Sequence, residues 1–139
     1  MDDIRHRAKQ YSPASMAFLG DAVYSEKVRE MLVLEANTSA RKLHSASVKY
    51  VRASFQAQAA DTIEELLTEE EAAVMKRGRN TAVGHGSIPK SSNPIEYHKA
   101  TSLETLFGFL KLCGDNERID ELFGIIMRSV KDGAPGKDA

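Results

Sequence analysis

Cysteine is nearly absent from this chain, and so is any net charge. Cys113 is the single cysteine among 139 residues, which excludes an internal disulfide and any zinc site built from several cysteine ligands. Such sparing use of cysteine is typical of a reducing compartment, so we expect a cytoplasmic protein. The formal net charge is −1, and this even balance does not by itself indicate a nucleic-acid-binding protein.

Long apolar runs are also missing. No stretch approaches the roughly 20 apolar residues that a membrane-spanning helix needs. The charged N-terminus, MDDIRHRAKQ, lacks the apolar core of a secretory signal, so we expect no membrane partner. With 42% hydrophobic and 28% charged residues, the composition is that of one ordinary globular domain. We assign this domain to residues 1–132 and expect residues 133–139 to form a disordered tail.

Alternating strand patterns are absent as well, and helical spacing of apolar residues takes their place. The sequence therefore predicts an all-α fold with five to seven helices. Capping residues mark the helix starts: Ser12 before Pro13, one of Asn37, Thr38 and Ser39, then Thr68 with Glu71, and Asn93 with Glu96. The predicted helices span 13 to about 33, 39 to about 59, 61 to 67, 68 to 80, 94 to about 112, and about 117 to 130. The clearest loop is 84–93, which is rich in glycine and serine.

Charge is unevenly distributed along the middle of the chain. Residues 61–71 contain six acids and no base, whereas residues 72–95 contain four lysines or arginines and no acid. The basic segment suits phosphate contacts, because arginine forks and loop N–H groups both match phosphate oxygens. The candidate RNA-binding residues are Lys76, Arg77, Arg79, Asn80, His85, Lys90 and Ser91. A solvated helix face, or cations that complement a helix C-terminus, explains the same pattern, and charge alone leaves both interpretations open.

Two carboxylates stand isolated in apolar helical segments. Asp21 lies in FLGDAVY (Phe18 to Tyr24), and Glu104 lies in ATSLETLFG (residues 100–108). Apolar residues surround most of the axis of the first of these helices, which predicts that it is largely buried. Asp21 is therefore expected to point along a partly apolar face. A buried acid is costly unless it is paired, hydrogen-bonded or bound to a metal ion.

Each of these acids has a glycine nearby on its helix. Gly20 precedes Asp21, and Gly108 follows Glu104 by one turn. A glycine inside a helix costs about 1 kcal/mol relative to alanine and often marks the close approach of another element. If the two helices meet, the two carboxylates can hold one hard cation such as Mg²⁺; alternatively, each acid caps or pairs with a group elsewhere. No GxSxG, HExxH or P-loop motif points to another chemistry.

Together, FLGDAVY and ATSLETLFG resemble the two signature segments of the ribonuclease III catalytic domain, which read roughly ERLEFLGDAVL and ADxFEALIGA. The resemblance covers nearly the whole chain. It implies the ribonuclease III endonuclease-domain fold and a homodimer that holds double-stranded RNA in a valley between its subunits. It also implies that Asp21 and Glu104 are the catalytic, Mg²⁺-binding pair of each subunit. Phe18, three residues before Asp21, is then the candidate contact at the dimer interface.

The sequence departs from the family pattern in two respects. Ala14, Ala17 and Thr101 stand where the family usually has acids, and no double-stranded-RNA-binding domain follows in the sequence. Both departures resemble the Mini-ribonuclease III branch of the family, whose members are stand-alone catalytic domains. The resemblance thus implies Mg²⁺-dependent maturation of the large-subunit (23S) ribosomal RNA precursor, leaving 5′-phosphate and 3′-hydroxyl ends, with a ribosomal protein as a candidate partner. The missing acids leave open a non-catalytic helical RNA-binding or ribosome-assembly module that has kept the fold.

Overall fold

The described part of the chain is helical throughout. The computed structural model describes residues 2–85 and 93–131, and these contain seven α-helices, one 3₁₀ turn and no strand. The helices are α1 (Asp2–Ala8), α2 (Pro13–Glu35), α3 (Ala40–Val51), α4 (Ala53–Ile63), α5 (Glu69–His85), α6 (Pro94–Leu112) and α7 (Asn116–Lys131). The all-α prediction is confirmed. The tail predicted for residues 133–139 and most of the loop predicted for residues 84–93 lie outside the described residues.

The predicted capping residues begin the helices as expected. The side chains of Ser12, Ser39 and Asn93 each accept a hydrogen bond from a backbone N–H two or three residues later, at 2.9–3.2 Å. Thr68 and Glu71 form a complete capping box: the Glu71 N–H donates to Thr68 Oγ1 at 3.1 Å, and the Thr68 N–H donates to Glu71 Oε1 at 3.0 Å. These bonds satisfy N–H groups that have no partner inside a helix.

The core is organised around α6. Leu103, Leu106, Phe107, Phe109 and Leu110 are all 0% exposed, and burying each such side chain contributes about 1.5–3 kcal/mol. Helices α2, α4 and α5 pack around α6, while α1 and α7 contact it over smaller areas. Within residues 2–85 and 93–131, no helix combines the length and the apolar character that crossing a membrane requires.

Helix α2 buries one side rather than its whole circumference. Its buried residues form a single stripe of Met16, Gly20, Val23, Tyr24, Val28 and Leu32. Phe18, in contrast, is 85% exposed and Leu34 is 80% exposed. The prediction that this helix is buried nearly all round is therefore wrong for the single chain: Leu19 and Met31 still pack partly against the core, but Phe18, Val33 and Leu34 are exposed.

The helix predicted for residues 39–59 is in fact two helices. Arg52 adopts an extended conformation (φ −74°, ψ 155°) that ends α3 and starts α4. The break frees backbone carbonyls, and side chains compensate: Tyr24 Oη donates to the Tyr50 carbonyl at 2.7 Å, and Gln56 Nε2 donates to the Val51 carbonyl at 3.0 Å. The separate helix predicted for residues 61–67 is also wrong, since α4 continues to Ile63 and a 3₁₀ turn follows over 64–66.

Candidate active site

A glycine-to-glycine crossing brings Asp21 and Glu104 together. A Cβ atom added to Gly20 would overlap the backbone carbonyl of Glu104, and one added to Gly108 would overlap the carbonyl of Met16. The backbones of α2 and α6 therefore touch here, as the two glycines predicted. Asp21 directly follows Gly20 and Glu104 lies against it, so the crossing fixes the backbone positions of both acids.

The two carboxylates share one cavity of about 280 Å³. Helices α2, α5 and α6 supply its walls. The lining residues are Pro13, Ala14, Ala17, Phe18, Asp21, Gly78, Thr81, Tyr97, Thr101 and Glu104. The three positions at which acids were expected from the family pattern thus face the acidic pair, but they carry two methyl groups and one hydroxyl instead.

The two acids of the pair differ in exposure. Asp21 is exposed and Glu104 is half-buried. Asp21 was predicted to point along a partly apolar face rather than to open water. Ala17 and Phe18 do line the cavity beside it, but the shielding from water is wrong, because Asp21 is exposed. Burial, and after it the neighbouring Asp21 carboxylate, raises the pKa of Glu104 to about 8. Two carboxylates this close ionise together only at an energetic cost.

A hard divalent cation fits this donor set. It would relieve the repulsion between the two carboxylates, and Mg²⁺ commonly binds one or two carboxylates and fills its remaining positions with water and substrate oxygens. Across the described ranges, no group of three or more His, Cys, Asp or Glu side chains comes together as a possible metal site. Asp21 and Glu104 would therefore be the protein's own ligands, and water or substrate would complete the coordination shell.

Helix α5 forms a wall of the cavity that the sequence reasoning missed. A Cβ atom on Gly78 would overlap the side chain of Thr105, which is 0% exposed, so α5 and α6 also meet at a glycine. This contact places Thr81 in the cavity lining, where its hydroxyl joins those of Tyr97 and Thr101. Gly78 offered the same sequence signal as Gly20 and Gly108, namely a glycine in the interior of a predicted helix.

The family model for the ribonuclease III domain matches residues 14–115, which covers more than half of the chain and both acids. The chain belongs to the ribonuclease III family. This membership makes it an endoribonuclease of the ribonuclease III type and confirms the resemblance of its two signature segments.

Relatives within the ribonuclease III family match over most of their length. The Mini-ribonuclease 3 of Symbiobacterium thermophilum is 43% identical over 110 residues, which cover 79% of this chain and 83% of that protein. The Mini-ribonuclease 3 of Staphylococcus aureus is 36% identical over 126 residues, 89% of this chain and 92% of that protein. A crystal structure of a Fusobacterium nucleatum protein superposes with a TM-score of 0.77 at 28% identity, covering 86% of this chain and 94% of that one.

Four of the seven candidate RNA-binding residues lie close together on α5. Lys76, Arg77 and Asn80 are exposed and Arg79 is half-buried. Arg77 differs from the other three because its guanidinium donates to the backbone carbonyl of Lys9 at 3.1 Å. The remaining candidates lie outside the described residues: Lys90, Ser91 and the side chain of His85.

Phe18 lies at the edge of the cavity, on the same helix as Asp21. Its side chain lines the cavity and is nevertheless 85% exposed. This exposure leaves Phe18 accessible to another polypeptide, as a contact at a dimer interface requires. The structure thus places the candidate dimer contact and the acidic pair in one region of the surface.

Proposed function

We propose that this ribonuclease III family member is a Mg²⁺-dependent endoribonuclease that cleaves double-stranded RNA. The observation that carries the proposal is the shared cavity of Asp21 and Glu104, whose backbones the contact between Gly20 and Gly108 holds in place. This rigid crossing keeps two mutually repelling carboxylates side by side. Such an arrangement is costly for the fold alone and useful for binding a divalent cation.

Each acid has a distinct place in the proposed reaction. Asp21, on the open side, is accessible to an incoming phosphodiester, and half-buried Glu104 holds the inner side of the site. Asp21 and Glu104 would hold Mg²⁺, which would supply a coordinated water of lowered pKa and positive charge to offset the negative charge on the scissile phosphate. The water oxygen bonds to phosphorus as the bond to the ribose 3′ oxygen breaks. The water gives up a proton to the solvent, and the 3′ oxygen takes up a proton from the solvent, which leaves 5′-phosphate and 3′-hydroxyl ends.

The outer surface of α5 supplies the proposed grip on the RNA backbone. Lys76 and Arg79 take part in no ion pair within the described ranges, whereas two of the three acids in the first turn of α5 are paired within the protein: Glu70 with Arg5 at 2.8 Å and Glu71 with Arg118 at 2.8 Å. Lys76 and Arg79 thus remain available to phosphates. Asn80, together with His85, Lys90 and Ser91 of the following segment, completes the proposed contact surface, which reads duplex RNA by its shape and backbone.

A homodimer is the proposed active form. Covering the exposed ring of Phe18 would contribute about 2–3 kcal/mol per subunit. A two-fold interface buries the same residue on both chains. Because Phe18 also lines the cavity, its partner surface would lie next to the acidic pair and would place two such pairs along one RNA duplex.

The proposed biological substrate is the precursor of 23S ribosomal RNA, in the cytoplasm. Support comes from the similarity to relatives named Mini-ribonuclease 3 and from the sequence resemblance to single-domain members of the family. Within this domain, the basic residues of α5 and a second subunit are the proposed sources of affinity for the RNA. A ribosomal protein bound to the precursor is a further candidate partner, because it would hold the RNA in a cleavable conformation.

The central experiment compares Asp21→Asn with the native chain on duplex RNA, with and without Mg²⁺. The amide keeps the shape of the side chain but loses its charge, so we expect cleavage to fall on the order of 10²-fold or more while the fold and RNA binding persist. Glu26→Gln removes an exposed acid from the same helix and should cleave normally. Precursor ribosomal RNA, with and without its ribosomal proteins, is compared with a generic duplex. Substantial Mg²⁺-dependent cleavage by Asp21→Asn would refute the mechanism. If the native chain bound RNA but cleaved none, the alternative function, a non-catalytic RNA-binding module, would be favoured.

A further inference from the structure

Arg77 holds the segment that joins α1 to α2. Its Nη1 donates to the backbone carbonyl of Lys9 at 3.1 Å, and its Nη2 makes a longer contact of 3.5 Å to the carbonyl of Tyr11. The side chain of Lys9 pairs with Glu70, also on α5, at 3.2 Å. The segment from Lys9 to Tyr11 is therefore fastened to α5 through its backbone and through a side chain.

This segment leads directly into the wall of the acidic cavity. Ser12 follows it and caps α2 by accepting from the Ser15 N–H at 3.0 Å. Pro13 and Ala14 come next, and both line the cavity beside Asp21. Because one residue separates Tyr11 from Pro13, the position of the segment sets where the first turn of α2 begins.

On the other side, Arg77 belongs to a rigid part of α5. Its neighbour Gly78 packs against the buried Thr105 of α6, the helix that carries Glu104. Thr81, one turn after Arg77 and thus on the same side of α5, lines the cavity. Arg77 accordingly connects a part of α5 fixed on α6 with the start of α2.

We infer that Arg77 is a positioning residue, which sets the first turn of α2 against the acidic cavity, and not one of the phosphate contacts of the RNA surface. A guanidinium has five N–H donors in a planar fork, and in Arg77 both terminal nitrogens face protein carbonyls. Neighbouring Lys76 is exposed and has no ion-pair partner within residues 2–85 and 93–131, so it serves as the matched comparison. This inference rests on the proposed nuclease function.

The test uses Arg77→Gln, Arg77→Lys and Lys76→Gln in the full chain, with duplex RNA binding measured against salt concentration in the absence of divalent cations. Removing one phosphate contact reduces the slope of log K against log salt by about one. We expect that reduction for Lys76→Gln and none for Arg77→Gln. Backbone amides of residues 9–16 should exchange faster in Arg77→Gln than in Lys76→Gln.

Kinetics separate positioning from binding. With Mg²⁺, Arg77→Gln should lower kcat about tenfold, because small displacements of reacting groups are costly, and leave KM within about twofold. Arg77→Lys, which can still donate to one carbonyl, should recover part of that kcat. A salt slope reduced as in Lys76→Gln, together with an unchanged kcat, would overturn the inference. If the native chain cleaves no duplex RNA, the proposed function fails, while unchanged amide exchange in Arg77→Gln would separately overturn the role of Arg77.

Discussion

Replacing Gly20 with alanine tests whether the backbone crossing builds the active site. The added methyl group would overlap the carbonyl of Glu104 and crowd the backbone nitrogen of Gly108. Backbone atoms in the middle of a helix cannot rotate away as the end of a side chain can. The two helices must therefore separate until the methyl group reaches ordinary van der Waals distance, which is about 3.5 Å.

The net cost follows from two opposing terms. Alanine is favoured over glycine in a helix by about 1 kcal/mol. Overpacking a well-filled core costs about 1–3 kcal/mol and occasionally more, and a backbone clash at the crossing of α2 with α6 belongs at or beyond the upper end. We expect the free energy of unfolding to fall by about 2–3 kcal/mol, which lowers Tm by roughly 10 °C in a domain of this size.

Denaturant and thermal unfolding without divalent cations measure this cost apart from any loss of metal binding. Gly124→Ala is the matched control, because its added Cβ would meet only the mobile tip of Arg128, with Nη1 at 3.3 Å. The control should be neutral or more stable by up to about 1 kcal/mol. Gly20→Ala should also lose most cleavage, since its carboxylates move apart. A Gly20→Ala protein as stable and active as the native chain would refute the crossing as the determinant of the site.

Three further predictions concern charge and the exposed ring. Because burial and Asp21 raise the pKa of Glu104 from 4.5 to about 8, the folded chain holds this proton longer than the unfolded chain. Without metal, the free energy of unfolding of the native chain should therefore fall relative to that of Glu104→Gln as the pH rises from 4.5 to 8. The fall is at most about 1.4 kcal/mol per pH unit, and denaturant titrations at several pH values measure it. Arg118→Ala should cost about 3 kcal/mol in the same assay, because it leaves the buried Glu71 carboxylate without its cation. Phe18→Glu should yield a folded monomer by light scattering and should lower cleavage.

Each of these predictions has a contrary outcome. A stability difference for Glu104→Gln that stays constant with pH would refute the raised pKa. For Arg118→Ala, the control is Glu121→Gln, which removes an exposed partner of the same arginine and should cost under about 1 kcal/mol. If both variants lost the same free energy of unfolding, the buried pair of Arg118 with Glu71 would not be the main contribution. For Phe18→Glu, a dimer of native mass would place the interface elsewhere. Tyr11→Glu, at a 52% exposed aromatic residue, serves as its control.

The sequence predicted most of the fold where local chemistry decides the structure. Capping side chains act within one turn of their own position, so Ser12, Ser39, Thr68 and Asn93 marked helix starts that the structure confirms. The same is true of the crossing at Gly20, because a glycine inside an apolar helix is costly without a close neighbour. These signals depend on few residues and on no knowledge of the tertiary packing.

The features that the sequence did not predict depend on distant partners. Nothing near Arg52 announces the break between α3 and α4, since neither glycine nor proline occurs there. The break is stabilised in part by Tyr24, which lies 26 positions before the Tyr50 carbonyl that it contacts. The openness of Asp21 was missed for a similar reason. Its exposure depends on where α5 and α6 leave the cavity open, and helical periodicity within α2 contains no information about that.

Because this site has only two of the family's usual acids, their positions depend strongly on the backbone contact between α2 and α6. In a site with several carboxylates, the ligands share the task of orienting a cation, and a small displacement of one of them is tolerated. Here the other cavity-lining residues that the structure describes carry hydroxyl groups or apolar side chains, so among them no third acid corrects the separation of Asp21 and Glu104. Their spacing must come from the contact of α2 with α6, and the first turn of α2 must be held by groups such as Arg77. Substitutions at these supporting positions should therefore affect catalysis as strongly as substitutions at many residues that touch the RNA.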